Sequence, residues 1–158
     1  MGKCSFCHKQ NFSSPLKRAK QTSEYLSKIT KIEIQFDDDL MEWKNGLIAG
    51  LTQEEADAQY PEPKIKCPHT RIYEQESLID FRSRAETAFS KIINENNDDE
   101  TIAIVSHGGM INMLFRCFME SPLNSTISIA NGDTGIHHWR IENGKKTIIL
   151  CNNQQHLN

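Results

Sequence analysis

The sequence has no long apolar run, no surplus of positive charge, no internal repeat and no low-complexity tract. Each absence excludes something. Without about 20 consecutive apolar residues there is no helical membrane span, and the opening MGKCSFCHKQ lacks the apolar stretch of a secretory signal. Lys and Arg number 18 against 21 Asp and Glu, a net charge of −3. Bulk positive charge therefore does not hold this chain on nucleic acid or anionic lipid. Only 37% of residues are apolar, yet 158 residues are enough for a single domain, 1–158, with a real core. With no export signal in view, the five cysteines read as reduced thiols of a cytoplasmic protein.

Local patterning supplies the elements. Ser14 fits an N-cap and Pro15 a first helical position, and Leu16, Ala19, Ser23, Leu26 and Ile29 recur at helical spacing up to about residues 27–29. Ile32, Ile34 and Phe36 alternate as a strand, and Asp37–Asp39 reads as a turn. Thr52 and Glu55 have capping-box spacing, opening a short helix that ends by Pro61. Pro61, Pro63 and Pro68 mark residues 61–75 as an exposed loop. From Ser77 onward, Leu78, Phe81, Ala85, Ala88, Phe89 and Ile92 form one apolar helical stripe. Thr101–Ser106 is nearly all apolar, which predicts a strand covered on both faces. It runs through His107-Gly108-Gly109 into a helix from Met110 to about Phe118, and Asn143-Gly144 predicts a hairpin turn. Helices interleaved with buried strands give an α/β layer fold, a mostly parallel sheet with helices on both faces.

Three constellations carry polar chemistry. A buried strand that ends in a Gly-Gly turn puts His107 at the carboxyl edge of a sheet, beside a helix N-terminus suited to an anion. The competing reading is a histidine that merely caps a strand end. In Ser13-Ser-Pro-Leu-Lys-Arg18, the planar fork of Arg18 lies about one turn into a helix, where it can meet a phosphate bidentately. A surface arginine on an amphipathic helix is the plainer alternative. In Leu40-Met-Glu-Trp-Lys-Asn-Gly, Glu42 is either a general acid or an ordinary solvated carboxylate, and periodicity does not choose between them.

Taken together and in order, SSPLKRAKQT, LMEWKNGLIAGLTQEE, ESLIDFRSRA, IVSHGGMI and the tail CNNQQHL resemble the histidine phosphatase superfamily, in its phosphoglycerate mutase-like branch. The resemblance runs from about Asn11 to Leu157. It implies phosphomonoesterase or phosphomutase chemistry through a histidine that becomes phosphorylated, without metal or other cofactor. The substrate implied is a small phosphorylated metabolite, with sugar phosphates and phosphoglycerate among the candidates. On matching positions, Arg18 is the second phosphate-binding arginine, with Ser13 beside it among the phosphate-binding groups. Glu42 is the proton donor to the leaving alkoxide, and His107 the second histidine, bonded to the transferring phosphoryl group. Arg84 and Ser77 fall in a motif that supports the fold and are given no chemistry.

The family's defining Arg-His-Gly at the end of its first strand is absent here. Only twelve residues precede Ser13, and they offer no strand followed by that motif, so the chain resembles an amino-terminally shortened member with an atypical terminus over residues 1–12. An inactive or nearly inactive phosphatase fold is then expected, or a non-catalytic module that binds phosphate ligands. Strands that have lost a partner are expected to make the chain dimerise or dissolve poorly. Cys4 and Cys7 with Cys67 and His69 form a weak zinc pattern beside the plainer reading of free thiols. Cys4–His8 also fits a haem attachment pattern, which export-dependent chemistry rules out. Trp43 and Trp139 read as packing residues, and His137 and His138 point to opposite faces of a strand.

Overall fold

A computed structural model describes residues 7–64, 67–96 and 100–157. The chain runs β1 (Cys7–Ser13), α1 (Lys17–Thr30), β2 (Ile34–Phe36), α2 (Gln53–Gln59), α3 (Leu78–Asn94), β3 (Glu100–Val105), α4 (Gly108–Phe118), β4 (Ile136–Glu142) and β5 (Lys145–Asn153). The first three strands form a parallel sheet in the order β2-β1-β3, and β4 and β5 form a separate antiparallel hairpin. Its turn, Asn143-Gly144, has φ of 50° and 74°, the left-handed pair that matches strand twist.

Residues 7–12 do not behave as an atypical end. They belong to β1, the central strand, which pairs with β2 through Asn11–Ser13 and with β3 along its length. The alternation of β1 explains how so polar a segment is held inside. Phe12 is fully buried on one face, in a core with Leu40, Phe81, Ala85, Ala88, Ile92, Met110 and Leu114. Asn11 and Ser13 are buried too, and the Asn11 side chain donates to Thr30 Oγ1 (3.2 Å) and Ile32 O (3.1 Å), just past the end of α1. Helices thus cover both faces, α1 on one and α3 with α4 on the other.

The apolar stripe expected on α3 is the one buried, through Phe81, Ala85, Ala88 and Ile92. Ser77 caps this helix by accepting from the Asp80 amide, and Thr52 and Glu55 form the expected reciprocal capping box on α2. Trp43 packs edge-on against Phe81, and Trp139 lies against Phe115 and Phe118, so both tryptophans are packing residues.

Two local expectations fail for physical reasons. Ser14 does not cap α1: the N-cap is Leu16, with no side-chain bond, because the Ser14 hydroxyl is used elsewhere. The apolar run of β3 is less deeply buried than its sequence predicts. None of its residues is fully buried, and Ile104 is 36% exposed. Among the described residues β3 pairs only with β1, and β4 only with β5, so each has an open edge. Among the described residues, no helix is long and apolar enough to cross a membrane.

Candidate functional site: an anion-directed cluster at the sheet edge

The carboxyl ends of the three parallel strands converge. Asp37 N donates to Ser13 O (3.0 Å), Ser14 N to Val105 O (3.0 Å), and the Ser106 hydroxyl to Leu40 O (2.8 Å). Each strand then delivers one polar side chain to the same edge, where ligands of open α/β sheets bind. After β1 comes Arg18, in the first turn of α1. Beyond β2 the loop past Leu40 presents Glu42, and β3 leads into His107 at the N-cap of α4.

Two of the three are bonded directly to each other, and the third, Glu42, is tied to the backbone of the same helix end. Arg18 Nε donates to His107 Nδ1 at 2.9 Å. A guanidinium has only donors, so Nδ1 offers its lone pair, the ring is neutral, and the hydrogen sits on Nε2. From there it is donated to Ser14 Oγ, 2.8 Å away. Ser14 Oγ also accepts from the Leu16 amide at 3.3 Å, which is why it is lost to capping. The Glu42 carboxylate bridges two backbone donors, Trp43 N (2.9 Å) and Gly109 N (3.0 Å), the latter in the first turn of α4. A Cβ on Gly109 would overlap Glu42 Oε1, so a glycine here lets the carboxylate close on the helix end. Arg18 is exposed, and among the described residues its two Nη groups have no partner, leaving one face of the fork open to an oxyanion.

Arg18, Glu42 and His107, three of the expected site residues, are therefore brought together. Ser13 is not among them. It is buried, and its hydroxyl donates to Ser14 O at 3.0 Å, a local bond that turns it away from the cluster. The residue that joins His107 is Ser14, one position on. Sequence reasoning missed it because a serine before proline reads as a helix cap. Of the weak zinc pattern, Cys4 and the side chain of Cys7 lie outside the described residues, and among the described residues no group of three or more His, Cys, Asp or Glu is placed to hold a metal. Two clefts, of about 330 and 290 Å³, are lined by residues between 43 and 78 rather than by the cluster.

Burial pushes the His107 imidazole below its ordinary range, Arg18 adds to this, and Glu42 opposes it. In the unfolded chain His107 takes up a proton as pH falls below about 6.5, while the folded protein resists that uptake until lower pH. The stabilisation from this residue is complete above about pH 6.5 and lost as pH falls through the lowered folded value. Denaturant midpoints measured across that window should fall less steeply with acid in a His107→Gln variant than in the wild type. His137, also lowered by burial, contributes a slope of the same sign that the variant keeps.

The α/β domain thus gathers an arginine, a neutral imidazole and a carboxylate at one helix N-terminus. The chain belongs to the histidine phosphatase superfamily (branch 1), whose sequence profile it matches over residues 5–154. It is 30% identical over 152 residues to a Schizosaccharomyces pombe protein named as a probable phosphatase, covering 92% of this chain and 53% of that one. To phosphoglycerate mutase-like protein 4 of Arabidopsis thaliana it is 31% identical over 153 residues, with 92% and 65% covered. The chain thus spans between about half and two thirds of the length of these relatives. Among solved structures, Bacillus stearothermophilus YhfR superposes with a TM-score of 0.76 at 24% identity, covering 96% of this chain and 77% of that one.

Proposed function

We propose that this chain binds the phosphoryl group of a small phosphate monoester through Arg18 and His107, with Glu42 placed as proton donor to the leaving alkoxide. By itself it does not form a phosphohistidine. The observation that carries the reading is the convergence of these three side chains, from three different strand ends, on one helix N-terminus with the Arg18 fork open. Family membership supports phosphate esters as the ligand class. Phosphoryl transfer needs positioning and stabilisation of charge on the equatorial oxygens, which Arg18 and the end of α4 suit. It also needs a nucleophile, and no Arg-His-Gly occurs in these 158 residues. His107 is poorly placed to substitute, since its one lone pair accepts from Arg18, while its Nε2–H is a donor that a phosphoryl oxygen can take in place of Ser14.

Titration with inorganic phosphate tests the binding half of this reading, with saturable one-to-one binding as the expected result. A folded chain that shows none would overturn it. The open edges of β3 and β4 support self-association as a second property. Light scattering is expected to give a mass that rises above 18.1 kDa with concentration. A constant monomer mass would count against that.

A further inference from the structure

The loop that carries Glu42 is irregular, with two half-buried residues, Met41 and Trp43, flanking the carboxylate. Irregular backbone with unpaired carbonyls does not hold a side chain still unless something ties it. Here the tie is Arg84, from the middle of α3. Its Nη1 donates to Asp39 O and Met41 O, both at 2.8 Å, and its Nη2 donates to Glu42 O at 3.2 Å. The other edge of the same guanidinium meets the Glu76 carboxylate twice, Nε to Oε1 and Nη2 to Oε2, both at 2.9 Å. The two side chains are only 9% and 6% exposed, and the guanidinium lies over the Phe81 ring. Glu76 also grips the far side of the loop: its amide donates to Lys44 O at 2.9 Å and its Oε2 accepts from Lys44 N at 3.4 Å.

We infer that Arg84, locked on Glu76, is a positioning residue for Glu42, because it gathers the carbonyls of residues 39, 41 and 42 so that the carboxylate reaches the Gly109 amide. A planar fork with five fixed donors can satisfy three carbonyls and a carboxylate at once, which a lysine cannot. The buried ion pair keeps the fork from turning, and the first turn of α4 on the other side completes the vice around Glu42. The inference rests on the reading of Glu42 as the acid of the site. Its test involves no ligand and no turnover, so it stands or falls separately from that reading.

The amides of Trp43 and Gly109 donate to the two oxygens of Glu42 and report its position directly. In the 15N-labelled wild type, their shifts are followed against pH, and the Glu42→Gln variant identifies the step that belongs to Glu42 rather than to neighbouring His107. In Arg84→Lys that step is expected to shrink by at least about half at Gly109. Trp43 and Gly109 are expected to exchange about tenfold faster while the core amides of Ala88 and Ile92 hold their protection. Glu76→Gln keeps the shape of the pair without its charge and should give a smaller change of the same kind. Wild-type titration and protection at Gly109 in Arg84→Lys would overturn the inference, as would a loss in step with Ala88 and Ile92. So would failure of both variants to fold while Glu42→Gln folds, since Arg84 would then be structural alone.

Discussion

Phe12→Ala is expected to lower the stability of the fold by about 3–5 kcal/mol, the range for emptying a fully buried phenylalanine site. Phe12 has no exposed surface and stands on the central strand, where it meets Leu40 beside the Glu42 loop, Phe81 and Ala85 of α3, and Met110 of α4. These neighbours are held by three different elements and cannot all collapse onto the vacated space, so the cavity contribution is added to the lost burial. A domain of this size holds about 5–15 kcal/mol in total, and the loss would reach a large part of it. Urea denaturation should show the midpoint falling with little change in slope. A loss below about 1 kcal/mol would mean that Phe12 is not a core residue.

Arg18→Ala is expected to weaken phosphate binding by about 10- to 150-fold, the equivalent of the 1.5–3 kcal/mol carried by hydrogen bonds to a charged group. The stability of the fold should change little, because Arg18 is exposed and Ala19 and Ser23 are the buried residues of α1. The substitution also removes one of the two causes that lower the His107 pKa, so the imidazole should titrate higher in the variant. Isothermal titration with phosphate and the His107 ring shift in NMR read the two effects separately. An unchanged affinity would place the anion elsewhere, and an unchanged His107 titration would mean that the Arg18 bond is not held in solution.

Much of the architecture was legible because its signals are local. The Thr52–Glu55 capping box, the Ser77 cap, the stripe from Leu78 to Ile92 and the Asn143-Gly144 turn each need only a few neighbouring residues to work, and each appears where the pattern places it. What escaped depended on distant partners. CHKQNFS has little apolar content, and its burial as the central strand becomes reasonable only once Thr30 and the Ile32 carbonyl are there to accept from the Asn11 amide nitrogen. The Thr101–Ser106 run resembles a strand covered on both faces, but depth of burial is decided by its neighbours, and among the described residues β3 stands at the edge of its sheet, only partly buried. In the candidate site, the family resemblance pointed to Arg18, Glu42 and His107, which the fold brings together. The choice of Ser14 over Ser13 depended on where one hydroxyl points, a detail the spacing leaves open. Arg84 fell in a motif that supports the fold and was given no chemistry, and only the fold shows it buried against a carboxylate and three carbonyls.

The most direct test of the central claim is the reaction of the purified, folded chain with an aryl phosphate, followed for phenol release beside the His107→Ala and Glu42→Gln variants. A site that holds the phosphoryl group but lacks the nucleophile should release nothing above the level of both variants, and acid-labile phosphate should not appear on the protein. Turnover that both substitutions abolish, with phosphate trapped on a histidine, would contradict the account and show that a nucleophile is present in this chain.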